Sequence, residues 1–246
     1  MSQMPVETEI KLTASEPKDL GSLRSALAEA GADVGPATPR AVRDYYLDTE
    51  DWRLYRAGVA CRLRVADDGA LLTLKSLTPV FHGLASRTEL EEKLPSAPES
   101  LAGPVPGQKL AAWLQPLLQG APVAVKLALE KQGDVYRASL PDGLEVKVNA
   151  EVVRVSAAGR DGQFAEAEME LVKGDPAGLQ ALAAKLGPRL KLEPGALSKF
   201  ERGLKALGVK PPTTEGGDGL RVRPEDRLVD AAYRVLQAHF NRFMWH

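Results

Sequence analysis

Charged residues at every second position, in segment after segment, restrict this chain to a β-sheet with one strongly ionic face. Glu166, Glu168 and Glu170 alternate with Ala165, Ala167, Met169 and Leu171. Glu7, Glu9 and Lys11 alternate with Val6, Thr8, Ile10 and Leu12. Arg62 and Arg64 lie within Val59 to Val65, Lys75 within Ala70 to Leu77, and Arg87, Glu89 and Glu91 within Ser86 to Leu94. A period of two puts each set on one side of an extended strand. On an ordinary two-faced sheet that side meets solvent. Three acids in a row repel one another, however, and salt only weakens the repulsion. Bound cations relieve it. Mg²⁺ or Mn²⁺ prefers carboxylate oxygens and commonly bridges to phosphate. Arg offers planar paired donors to phosphate oxygens, and Lys a compact charge. A barrel brings acidic and basic strands round one lumen and turns their apolar faces outward, where helices can cover them.

The rest of the chain fits an α+β protein. Hydrophobic residues make up 44% of the 246, enough for a sizeable core. A formal net charge of -1 argues against a nucleic-acid binder. Cys61 is the single cysteine, which excludes an internal disulfide and a cysteine metal cluster. His82, His239 and His246 are scattered, so oxygen ligands must hold any metal. The N-terminus lacks a signal-peptide pattern and no apolar run is long enough to span a bilayer. The expectation is a soluble cytoplasmic protein with no membrane or nucleic-acid partner. Helices are expected over Asp19 to Ala30, ending at Gly31; over Leu110 to Leu118, disturbed by Pro116; after Asp175-Pro176, ending at Gly187; and over Leu197 to Leu207. Further strands are expected over Arg43 to Leu47, Val123 to Leu129, Asp134 to Leu140, Leu144 to Val148 and Glu151 to Ser156, with turns at Asp67-Asp68-Gly69 and Pro141-Asp142-Gly143. Residues 208–219 read as a linker, and Arg223 to His246 as an amphipathic helical segment.

Glu7-Thr8-Glu9-Ile10-Lys11 resembles the ExExK signature that opens CYTH domains, the triphosphate tunnel metalloenzymes. Further pieces follow in that family's order: Tyr45-Tyr46-Leu47-Asp48-Thr49, Cys61-Arg62-Leu63-Arg64, Leu72-Thr73-Leu74-Lys75, Arg87-Thr88-Glu89-Leu90-Glu91, Ala165 to Leu171, and Leu197-Ser198-Lys199-Phe200-Glu201-Arg202-Gly203. The resemblance implies a closed eight-stranded antiparallel β-barrel, a triphosphate tunnel, over residues 1–207, with helices around it. It is strongest to bacterial inorganic triphosphatases that carry a helical CHAD domain, whose first helix residues 220–246 resemble; the chain then reads as truncated there. The implied metal ligands are Glu7, Glu9, Glu89, Glu168 and Glu170, holding Mg²⁺ or Mn²⁺. Lys11, Arg62, Arg64, Lys75, Arg87 and Lys199 would grip the phosphate chain, with Lys11, Arg62 and Lys75 catalytic. The implied reaction is hydrolysis of inorganic triphosphate or another polyphosphate-containing small molecule. The alternatives are a non-catalytic polyphosphate- or nucleotide-binding module, or an enzyme acting on a nucleotide, such as an adenylyl cyclase. Two positions depart from the family's pattern. Asn149 stands where an Asp is expected, with the following acid falling near Val152. Gly133 stands where an Arg is expected, with Lys131 or Lys126 as substitutes.

Overall fold

The structure is a computed structural model that describes residues 6–66, 69–77 and 84–212, and for residues 6, 7 and 84–88 the backbone alone. Residues 67, 68 and 220–246 and most of the 208–219 linker therefore lie outside the described residues, with the expectations that fall on them. The strands are β1 (Val6–Ala14), β2 (Asp33–Val34), β3 (Thr38–Thr49), β4 (Val59–Ala66), β5 (Gly69–Ser76), β6 (Leu84–Leu94), β7 (Val123–Ser139), β8 (Glu145–Ala157), β9 (Arg160–Lys173) and β10 (Leu192–Pro194). The helices are α1 (Leu23–Glu29), α2 (Arg53–Arg56), α3 (Lys109–Leu118), α4 (Pro176–Leu190) and α5 (Lys199–Ala206). No described helix is long and apolar enough to cross a membrane.

Every pairing is antiparallel. β1 pairs with β6, β6 with β5, β5 with β4, β4 with β3, β3 with β7, β7 with β8 and β8 with β9. β1 meets β6 through Val6 to Ile10 and β9 through Glu9 to Ala14. The antiparallel, β-rich fold with flanking helices is as the sequence suggests.

Several boundaries differ for local reasons. The two segments expected on either side of Gly133 form one strand, β7, and those on either side of Ala150 form one strand, β8. Gly133 lies so close to β8 that a Cβ would sit 1.9 Å from the Ala150 carbonyl oxygen. Glycine here permits the contact between strands instead of ending one. The helix expected from Asp19 is split into a 3-10 turn, Pro17–Leu20, and α1. Pro116 does not end α3. α4 runs past Gly187, where a Cβ would lie 2.9 Å from the Leu192 carbonyl oxygen, so this glycine serves close packing on β10.

The apolar sides of the strands carry two cores under helices. Ile10, Leu12, Val146, Val148 and Met169 pack with Leu23 and Leu27 of α1 and Leu179 and Leu186 of α4. Leu63, Leu72 and Leu74 pack under Leu110 and Leu114 of α3. A third core lies on the other side of the sheet. Leu127 and Leu129 share the strand parity of Lys131, and Val153 and Val155 that of Glu151. The inner face is therefore ionic at one end and apolar at the other. α5 fills the apolar end with Phe200 and Leu204. Phe200 stacks on Tyr46 at 4.5 Å between centroids, and burying each of these two side chains contributes about 1.5–3 kcal/mol. Gly203 brings α5 onto β7, since a Cβ there would lie 2.5 Å from a Leu127 methyl.

Candidate functional site

The ionic end of the inner face lines a cavity of about 700 Å³. Glu9, Lys11, Arg62, Arg64, Lys75, Glu89, Glu168, Glu170 and Lys199 all border it. These are the proposed site residues whose side chains are described. Glu7 and Arg87 are register partners across β1 and β6, and their side chains lie outside the described residues. The cavity is bordered by both signs of charge, sorted into two walls.

The basic wall is organised round Asp44 of β3, which is fully buried. Arg64, its cross-strand partner on β4, donates two hydrogen bonds to its two oxygens at 2.8 and 3.0 Å. Lys131 of β7 lies 2.7 Å from it and Arg62 4.0 Å. Burial alone would raise the Asp44 carboxyl; Arg62, Lys131 and the paired Arg64 bonds overcome it and hold the group well below the usual carboxylate range. Arg62 also donates to Thr73 at 3.1 Å and to Glu89 at 3.4 Å, while its Nε has no partner among the described residues. Lys75 sits 2.8 Å from Glu89. Burial, then the nearby charge of Lys199, pushes Lys131 down to about 7 against the pull of Asp44 and Glu151.

The acidic wall comes from β1, β8 and β9. Antiparallel register sets Lys11 opposite Glu168 and Glu9 opposite Glu170. Glu151 of β8 lies opposite Glu166. Lys11 is hydrogen-bonded to Glu168 and lies 3.1 Å from Glu9. Lys199 reaches in from the first turn of α5 and lies 2.8, 3.1 and 2.9 Å from Glu151, Glu166 and Glu168. Burial would lower the Lys199 ammonium, but Glu151, Glu168 and Glu166 raise it well above its ordinary value. Burial would likewise raise Glu168, and Lys11 and Lys199 hold it well below. At the cavity rim, Lys147 pairs with Glu170 at 2.6 Å.

The motif at the start of α5 is a positioning device. Ser198 caps the helix, its hydroxyl accepting from the Glu201 N–H while Glu201 accepts from the Ser198 N–H. Arg202 pairs with Glu166 at 3.1 Å and donates to the Ala165 carbonyl. Lys199 is buried in the acidic wall. Asp48 and Thr49 are structural. The Asp48 carboxylate accepts from the N–H groups of Thr49, Leu54 and Tyr55 and fixes the turn into α2.

The structure resolves both departures in the sequence. The inward-facing acid after Asn149 is Glu151, not a residue at Val152, because Asn149 and Glu151 share parity. Asn149 borders the same cavity with its Oδ1 unpartnered. Lys131 enters the basic wall, whereas Lys126 lies over the Trp52 ring and donates to the Glu50 carbonyl. Asp44 and Glu151 were missed. Parity against Tyr46 and Asn149 was the available signal for both.

The antiparallel strands thus gather acidic and basic side chains round one cavity. The CYTH domain family model matches residues 5–204, and the chain belongs to that family. Among solved structures, the Hippeastrum protein HpAC1, described as having a dominant triphosphatase activity, is 20% identical, with 84% of this chain and 98% of that one covered and a TM-score of 0.55. PH1819 from Pyrococcus horikoshii is 16% identical over 81% and 98%, with a TM-score of 0.48. The Mimivirus capping enzyme triphosphatase is 11% identical over 76% and 89%, with a TM-score of 0.44. No curated protein matches the sequence.

The donor chemistry of the acidic wall suits a hard divalent cation, being all carboxylate oxygen. The arrangement does not. Among the described residues no three acidic, histidine or cysteine groups gather round one point, and the lysine ammonium groups stand between the carboxylates.

Proposed function

We propose that the eight strands from β1 through β9, β2 excepted, form a closed tunnel that binds inorganic triphosphate and hydrolyses its terminal phosphoanhydride bond. The observation that carries this reading is the basic wall. Arg62, Arg64, Lys75 and Lys131 border one cavity together with the carboxylates Glu9, Glu151, Glu168 and Glu170. A linear polyanion would set its oxygens on the cations. The return pairing of β9 with β1 supports the tunnel, and the triphosphatase activity ascribed to the Hippeastrum protein supports the substrate class.

Arg62 and Arg64 present paired N–H donors that straddle phosphate oxygens, and Asp44 holds them in place before substrate arrives. Lys11, Lys75 and Lys199 supply point charges along the chain, and Arg87 of β6 adds another. Water attacks the terminal phosphorus, the bridging P–O bond breaks and diphosphate leaves. The chain's cations stabilise charge spreading onto the leaving oxygens. Glu7, Glu9, Glu89, Glu168 and Glu170 are the carboxylates that would hold Mg²⁺ or Mn²⁺ with phosphate present, where it would neutralise phosphate charge. α5 seals the apolar end, so water and substrate enter from the ionic end.

Phosphate release from inorganic triphosphate, ATP and long-chain polyphosphate, each with Mg²⁺, with Mn²⁺ and with chelator, tests the proposal. Triphosphate is expected to be the best substrate, with release lost in chelator. Release from none of the three overturns hydrolysis; tight triphosphate binding without release would then leave a polyphosphate-binding module.

A further inference from the structure

Two ammonium groups occupy the middle of the acidic wall. Glu168 is held between them, one oxygen bonded to Lys11 and the other 2.9 Å from Lys199. Lys11 also reaches Glu9, and Lys199 also reaches Glu151 and Glu166. Chelating a small divalent cation needs carboxylate oxygens turned toward one point at close range. Here those oxygens are turned toward nitrogen. The two ammonium groups together carry the charge of one divalent ion, and with Arg202 on Glu166 and Lys147 on Glu170 every described carboxylate of the wall already has a basic partner. A cation arriving alone must either add its charge to this buried set or drive both ammonium groups off their partners. Driven off with nothing to receive them, they are left buried and unpaired, which is strongly unfavourable. Triphosphate changes that balance because its oxygens can receive both. Lys11 and Lys199 border the same cavity as Arg62 and Lys75, so their side chains can turn into the lumen. The helix need not move. α5 is pinned by its Ser198 cap, the Arg202–Glu166 pair and Phe200 on Tyr46, and the lysine stem has the rotatable bonds.

We infer that Lys11 and Lys199 are resident counter-ions of the acidic wall, and that a divalent cation binds only in company with a triphosphate chain, whose oxygens take over the two ammonium groups. The inference rests on the triphosphate reading of the site and adds its order of assembly. Lys199 then has two partners in turn, carboxylates in the empty tunnel and phosphate in the filled one.

The test is Mn²⁺ binding followed by electron paramagnetic resonance, with the full chain freed of metal. Mn²⁺ is titrated alone and with a non-hydrolysable imido-bridged triphosphate; calorimetry measures the analogue in chelator. Mn²⁺ affinity is expected to rise by ~30-fold with the analogue, inside the usual range for coupled ligands. Lys199→Gln, which keeps hydrogen-bonding capacity and removes the charge, is expected to bind Mn²⁺ alone about tenfold more tightly than the unmodified chain. The inference is overturned if the unmodified chain binds Mn²⁺ equally well with and without an analogue that itself binds. It is overturned too if a folded Lys199→Gln, checked by circular dichroism, gains no Mn²⁺ affinity. Should that variant not fold, the pair of titrations on the unmodified chain decides. An analogue that fails to bind at all overturns the triphosphate reading and this inference with it.

Discussion

Lys131 gives the charged cavity a pH dependence that can be worked out in advance. Its ammonium sits 2.7 Å from Asp44 in a buried wall that also holds Arg62 and Arg64. Burial and Lys199 bring it from the ordinary 10.5 down to about 7. Phosphate oxygens next to it would favour the charged form, so triphosphate binding should draw a proton onto the protein. At pH 7 roughly half the molecules already carry that proton, so about half a proton is taken up. At pH 8 roughly a tenth carry it, and affinity should fall about fivefold over that unit if the neutral amine binds poorly. Lys131→Arg keeps a permanent charge and removes both effects. Calorimetry of the imido-bridged triphosphate in chelator, in two buffers of different ionisation enthalpy at pH 6, 7 and 8, reads the uptake. Subtracting the Lys131→Arg result removes the ligand's own titration. Equal proton uptake by the two proteins at pH 7 would refute the reasoning. Stability has a definite sign as well. A lysine with a depressed folded value binds fewer protons than the unfolded chain between about 7 and its ordinary 10.5. Its contribution is therefore unfavourable at low pH and improves as pH rises through that window.

Glu9→Gln removes one buried carboxylate from the acidic wall, and phosphate release should fall by roughly a hundredfold; an unchanged rate would move the metal elsewhere. Gly133→Ala would place a methyl against the Ala150 carbonyl, costing about 3 kcal/mol or more. A thermal melt should show a Tm lower by roughly 6–12 °C. Asn149→Asp adds an acid where Glu151 already faces the cavity and Glu168 is the cross-strand partner. Turnover should rise by less than about threefold, because added repulsion offsets any gain in metal affinity; a larger rise would show that Asn149 limits the rate.

Strand parity made most of the site legible. Alternation assigned Glu9, Lys11, Arg62, Arg64, Glu168 and Glu170 to one face, and the register of β1 against β9 brings four of them together. What parity could not show was the change of character along that face. Leu127, Leu129, Val153 and Val155 interrupt the alternation of charge because α5, distant in sequence, fills that end. Strand parity could not place Lys199, which the resemblance alone put in the site: it lies on a helix, and its side chain enters the acidic wall. Asp44 was hidden by its neighbours, two tyrosines that look like core. Gly133 read as a strand end because nothing local reveals that β8 passes within contact distance. Such errors arise where the answer depends on what lies across the sheet.

The number of buried charges is itself an argument about purpose. Lys11, Glu9, Asp44, Arg62, Lys131, Glu151, Glu166 and Lys199 are all buried. Buried ion pairs are poor contributors to stability, since desolvation rivals or exceeds their attraction, and apolar side chains of the same size often serve better. The apolar end of this face shows that alternative in use: Leu127, Leu129, Val153 and Val155 fill it round Phe200. One end is packed for stability and the other is left charged and hollow. The charged end costs stability that the packed end and the two outer cores must offset. It returns cations fixed by Asp44 and Glu89, in place before a ligand enters. Groups held that way need little reorganisation as charge shifts along a phosphate chain, which is where preorganised electrostatics contributes most to catalysis.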